Sequence, residues 1–178
     1  MMKPAIRKFA LALHLTGSVG WIGAVVAYLV LVLVAMNGND TQTLQGIWIA
    51  LELTGNLALV PLSITALLTG IVLSLGTKWG LFEHYWVLLS LILTAIAAAV
   101  LIQHMQTVSF FAGIAAQANS ADIGRLRDGL QGELFHGGIG LLVLVVIQVL
   151  NVYKPRGVTT YGWRRQQKQR AVSRSTRA

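Results

Sequence analysis

Four stretches of the chain, 9–39, 53–77, 85–121 and 134–153, contain no Asp, Glu, Lys or Arg. A hydrocarbon layer about 30 Å thick is crossed by about 20 apolar helical residues. Each stretch reaches that length, so each is read as a membrane-spanning helix. Of the 178 residues, 55% are hydrophobic and 11% charged, too little polar surface to cover a soluble globule of this size. The expected fold is all-α, an antiparallel four-helix transmembrane bundle with spans over 9–36, 46–75, 82–112 and 134–153. It forms one domain over 1–153, followed by a basic tail over 154–178. The start carries the positive charge of a signal peptide, but the apolar run behind it is about twice the usual length. A retained first span is expected.

Orientation follows from the basic residues. Lys3, Arg7 and Lys8 precede the first span, Lys78 lies in the turn after the second, and eight more follow the fourth from Lys154 to Arg177. Only Arg125 and Arg127 are elsewhere. The positive-inside rule places both termini and the Lys78 turn in the cytoplasm. Asp40, Asp122, Asp128 and Glu133 then fall on the opposite side. The run Trp163-Arg-Arg-Gln-Gln-Lys-Gln-Arg170 beside a membrane reads as a site for anionic headgroups, with no nucleic acid as partner.

Local signals refine the picture. Pro61 removes a backbone donor and is expected to kink the second span near its middle. Between the third and fourth spans, Ser120 reads as an N-cap, with Ile123, Leu126 and Leu130 at helical spacing behind it. A short amphipathic helix on the bundle mouth is expected there. The absence of cysteine removes disulfides, thiolate metal sites, iron–sulfur ligation and covalent haem attachment.

Ionisable residues at membrane depth are costly and mark function. Here they are His14, His84, His104, His136 and Glu52. At about 1.5 Å per residue, His14 and His84 fall towards the cytoplasmic side of their spans and His104 and His136 towards the other. Two pairs at two depths, each from two helices, is the arrangement that bis-imidazole ligation of haem requires. Small residues sit beside them, Gly17 after His14 and Gly140 after His136, where a planar ring approaches the backbone. Trp21 supplies an aromatic wall. The cofactor-binding set is therefore His14, His84, His104, His136, Gly17, Trp21 and Gly140, the four histidines being the metal ligands and one or two haem b groups the cofactor. The Gly17, Gly20 and Gly23 series equally reads as a close-packing seam.

His14 followed by Gly20-Trp21-Ile22-Gly23 gives His-x(6)-Trp-x-Gly, which resembles the signature of the CopD-like group of small membrane proteins. The resemblance continues through Leu68-Thr-Gly-Ile-Val-Leu-Ser, Trp79-Gly-Leu-Phe-Glu-His-Tyr-Trp-Val, His136-Gly-Gly-x-Gly, Tyr153-Lys-Pro-Arg-Gly and Tyr161-Gly. Together these resemble an uncharacterised bacterial integral-membrane family, similar in turn to the HemJ-type protoporphyrinogen oxidases and to CopD. The resemblance implies a four-helix membrane protein holding haem through His14. Relatives often carry a lysine in the third helix where this chain has Ser90, which argues against transfer of the oxidase activity itself.

The functional expectation is a membrane b-type haem protein in transmembrane electron transfer or a quinone- or porphyrin-linked oxidoreduction. Its expected partners are a quinone or porphyrin and a redox partner or second copy of the chain. Copper transport, with Met36 or Met105 as soft ligands, is one alternative, although four scattered methionines do not form a copper path. A ligand-free structural or assembly subunit is the other.

Overall fold

The computed structural model describes residues 2–76, 80–117 and 122–175. Lys78 and Trp79, and Ser120 with its expected cap, lie outside the described residues. Six α-helices form: α1 (Pro4–Asn37), α2 (Thr41–Thr54), α3 (Val60–Gly76), α4 (Tyr85–Gln117), α5 (Ile123–Tyr153) and α6 (Thr160–Ser175). A π-turn, Gly55–Leu59, joins α2 to α3 without a break. Among the described residues there are therefore four helices long and apolar enough to cross a membrane: α1, α2 with α3, α4 and α5. With 34 residues, α1 is about 51 Å long, so it outreaches the hydrocarbon core or tilts within it.

The four long helices pack in a ring. α1 touches α3 and α5, and α4 touches the α2–α3 helix and α5. Their outward faces are apolar: Leu57, Leu68, Leu75, Phe135 and Leu142 are all more than half exposed. Such a surface suits lipid and would aggregate in water. The inward faces mix large apolar residues with small hydroxyls. Ser63 and Ser90 are buried, each hydroxyl donating to a carbonyl of its own helix, the back-bonding that removes an orphan polar group from an apolar interior.

Each boundary has a local cause. Pro4 starts α1, where its missing donor costs nothing. Asp40 caps α2, its carboxylate accepting from the Thr43 amide at 2.7 Å and from the Thr43 hydroxyl. Lys154, left-handed at φ 46°, ends α5 just before Pro155. At Pro61, where a kink is expected, the helix continues, and the π-turn ends two residues ahead of the proline. The wider turn gives up the ordinary register just ahead of the residue that has no N–H to offer.

The largest departure from expectation concerns the segment 113–133. Among its described residues no separate amphipathic helix forms: α4 runs on to Gln117, and α5 begins at Ile123 instead of 134. Leu126 and Leu130 are almost wholly buried, and the Leu126 carbonyl accepts from the Trp48 indole at 3.2 Å. The apolar face that suggested a surface helix is the first part of a span packed into the bundle. Arg127 donates to the Gly38 carbonyl at 2.9 Å, and Arg125 lies over the Phe110 ring, so both basic residues of this end are pinned.

At the other end the chain start, the end of α3, the start of α4 and the tail meet. The Met2 amide donates to the Gly76 carbonyl, Tyr85 N–H to the Gly157 carbonyl and Thr159 N–H to the Glu83 carbonyl. Arg165 pairs with Glu83, and the Thr159 hydroxyl donates to the Phe82 carbonyl. The basic tail is thus docked as α6 on the α3–α4 connection.

Two outcomes test this packing. A Cβ at Gly129 would meet the rings of Phe111 and Trp48 at 2.9 and 3.0 Å, whereas one at Gly113 meets nothing within 4 Å. Gly129→Ala is expected to lower stability in detergent by about 1–3 kcal/mol through overpacking, and Gly113→Ala to leave it unchanged or raise it slightly. Hydrogen bonding from the Thr43 hydroxyl and amide holds the Asp40 carboxyl below its ordinary range. A group whose folded value is the lower one stabilises above its unfolded value and loses that contribution as pH falls. Thermal melts of Asp40→Ala should show a deficit at pH 7 that closes towards pH 3.

Candidate functional site

The buried stripe of α1, with Gly17, Trp21, Val25, Tyr28, Val32 and Ala35 at spacings of three and four, carries Tyr28 into the interior. On α5 a three-residue spacing puts Glu133 and His136 on one face, and α4 brings His104 opposite. The three helices converge on one carboxylate. Glu133 is 1% exposed; its Oε2 accepts from the Tyr28 hydroxyl at 2.6 Å and lies 2.8 Å from His104 Nε2. The His104 and His136 rings stack with centroids 4.4 Å apart and planes 19° from parallel. His136 is exposed, and its Nδ1 donates to the Gly132 carbonyl at 2.9 Å.

Two cavities share this cluster as a wall. One, about 440 Å³, is the more polar of the two, lined by Gln103, Thr107 and Asp128 together with His104, Glu133 and His136, alongside Val100 and Phe111. The second, about 260 Å³, is apolar and reaches into the bundle past Trp21, Tyr28, Leu59, Met105 and Gly140. Val100, His104, Glu133 and His136 face both. A carboxylate enclosed within a lipid-embedded bundle is costly unless donors surround it. Here two hydrogen-bonding groups, the Tyr28 hydroxyl and His104 Nε2, converge on one oxygen, at a wall shared by the two chambers.

His14 has a different setting. Its Nδ1 lies 3.1 Å from the Ala66 carbonyl and 3.0 Å from the Thr69 hydroxyl oxygen. That hydroxyl already donates to the Thr65 carbonyl, so both neighbours of Nδ1 can only accept. The ring hydrogen therefore sits on Nδ1, and Nε2 carries the lone pair. His84 lies at the head of α4, bridged through its backbone to Val158, with its ring 6.5 Å from that of Trp86. His14 and His84 thus engage different partners, whereas His104 and His136 are brought together.

Several expected roles change with this geometry. Axial ligands of one haem meet the iron nitrogen-first from opposite faces of the porphyrin. His104 and His136 instead lie face to face, and His104 Nε2 is committed to Glu133, so this pair does not fit a shared haem as it stands. Gly17 opens no slot for a ring: a Cβ there would meet Thr65 and the Ala66 backbone at 3.2 and 3.3 Å, which makes it the close contact of α1 on α3. Trp21 and Gly140 do line a chamber, the apolar one. Glu133, expected outside the membrane, is a buried member of the site. Its position three residues before His136, and that of Tyr28 seven after Trp21, are the signals that place both on interior faces. Among the described residues no group of three or more His, Cys, Asp or Glu is placed to hold a metal ion.

Comparison with protein families, with curated proteins and with solved structures finds no match to this chain.

The Tyr28–Glu133 contact can be tested by a double-mutant cycle. Tyr28→Phe removes a hydrogen bond to a charged group and is expected to cost about 2 kcal/mol. In a Glu133→Gln background the same change should cost less than half as much, measured by denaturant unfolding in detergent.

Proposed function

We propose that the chain is a multi-pass protein of the bacterial inner membrane that handles a hydroquinone–quinone couple, exchanging its protons through Glu133. The observation that carries this reading is the enclosed Tyr28–Glu133–His104 cluster at the wall of an apolar chamber. Oxidising a hydroquinone requires its O–H protons to leave, and a carboxylate hydrogen-bonded to an imidazole is a general base suited to receive them. The chamber, at about 260 Å³, is smaller than the roughly 300–1,000 Å³ typical of ligand pockets, which favours one or two fused rings over a tetrapyrrole. Trp21 and Tyr28 supply aromatic faces for such a ring, and its tail would extend between helices into lipid.

Both termini lie in the cytoplasm in this reading, with the spans running up and down. The contacts that gather the chain start, the α3–α4 connection and the tail at one end support it, as does the concentration of basic residues there. The basic face of α6 meets anionic headgroups.

Haem b enters as a second reading because of His14. The Nδ1 hydrogen bond to a backbone carbonyl fixes the tautomer that leaves Nε2 free, the usual arrangement of a ligating histidine. His14 would hold such a group, and haem, when bound, supplies a one-electron acceptor.

Two experiments decide these points. Short-chain benzoquinone or naphthoquinone added to the protein in lipid nanodiscs is expected to quench Trp21 fluorescence with saturation, taking Trp21→Phe as the baseline. Gly140→Phe should abolish the saturable part, since a Cβ at Gly140 meets nothing within 4 Å and the ring fills the chamber. Equal, unsaturable quenching in both proteins contradicts the reading. For haem, protein expressed with ample haem should show a Soret band that His14→Ala removes and that His104→Ala and His136→Ala retain; the reverse pattern overturns the assignment.

A further inference from the structure

A proton delivered to Glu133 needs a way out, and the two chambers differ in what they offer it. Towards the middle of the bundle, Trp21, Val25, Leu59, Leu93 and Leu144 line the apolar chamber, and none of them relays a proton; the Tyr28 hydroxyl, which also lines it, donates to Glu133 itself. Towards the α4–α5 end, Gln103, Thr107 and Asp128 line the polar one, and His136 is exposed beside them. Asp128 lies five residues before Glu133 on α5, about 7.5 Å along the axis. The titratable groups around Glu133 are Tyr28 from α1, His104 from α4, and Asp128 and His136 from α5. The α2–α3 helix contributes only Leu59 to the lining of either chamber.

We infer that the wall formed by Glu133, His104 and His136 is a one-sided proton port, connecting the apolar chamber with the compartment at the α4–α5 end and not with that of the basic tail. The step balances within the residues present. With Glu133 protonated and the His104 ring hydrogen on Nδ1, the carboxyl O–H bond breaks as an N–H bond forms at His104 Nε2, 2.8 Å away. The imidazolium then gives its other ring proton to water in the polar chamber, and that water passes a proton to His136 Nε2 and so to the outside. Carboxylate and neutral imidazole remain, with the ring hydrogen on Nε2 where it donates to Glu133. His136, stacked on His104, holds that ring in place. Its own Nδ1 donates to the Gly132 carbonyl, so its Nε2 lone pair is left to accept from water and its exposed ring forms the mouth of the port. The port rests on the proposed quinone chamber only for the source of the proton.

The port is testable without substrate. The unmodified protein is reconstituted in vesicles sorted for one orientation by protease access to the tail, and the pH is jumped on one side. The infrared bands of Glu133, assigned as those missing in Glu133→Gln, are followed in time. They are expected to respond to a jump on the α4–α5 side and to ignore one on the tail side until the vesicle itself leaks. His136→Phe preserves a stacked ring while removing its nitrogens, and is expected to slow the response at least tenfold. A response to the tail side, an equal response to both sides, or an unchanged rate in His136→Phe overturns the inference. If His136→Phe fails to fold, the sidedness of the unmodified protein still decides it. Lost quinone quenching with an intact one-sided response would sink the substrate reading and leave the port standing; the opposite result would sink the port alone.

Discussion

The structure turns on one carboxylate held inside a lipid-embedded bundle. Isolated in such a place, an ionised Glu133 would cost several kcal/mol even after relaxation. Tyr28 from α1 and His104 from α4 converge on Oε2, so three of the four spans must meet at one depth for the site to exist. The packing of α5 against both α1 and α4 brings the two partners to that group. An apolar residue in its place would pack with less risk. Retention of a charge where its desolvation is so expensive points to chemistry, not to stability.

The surroundings separate two kinds of histidine. His14 faces acceptors only, which fixes its hydrogen on Nδ1 and leaves a ligating nitrogen. His104 faces a carboxylate. The residue type is the same, and the hydrogen-bond partner divides the two: acceptors at Nδ1 leave Nε2 of His14 with its lone pair, whereas Nε2 of His104 is engaged with Glu133.

Much of the fold was legible in the sequence because lipid is a demanding solvent: a charge-free run of sufficient length has few places to be other than across the bilayer. Four spans and the nearness of His104 to His136 both follow from that reasoning. The same logic hid the site. Treating every charge as a boundary put Glu133 outside the membrane and shortened the fourth span by eleven residues, from Ile123 to 134. The partner that permits this charge, Tyr28, stands 105 positions away, and no local pattern announces that pairing. Gly17 misled for a related reason, since a glycine beside a histidine looks the same in sequence whether it admits a ring or a neighbouring helix.

The pairing of His104 with Glu133 inside a bilayer is the claim on which the rest depends, and solid-state NMR reads it directly. With ¹⁵N-labelled histidine and ¹³C-labelled glutamate in lipid, the structure requires a dipolar cross-peak between one imidazole Nε2 and the carboxyl carbon of Glu133, absent in His104→Ala. A spectrum of folded protein in which no histidine nitrogen couples to that carbon would contradict the account.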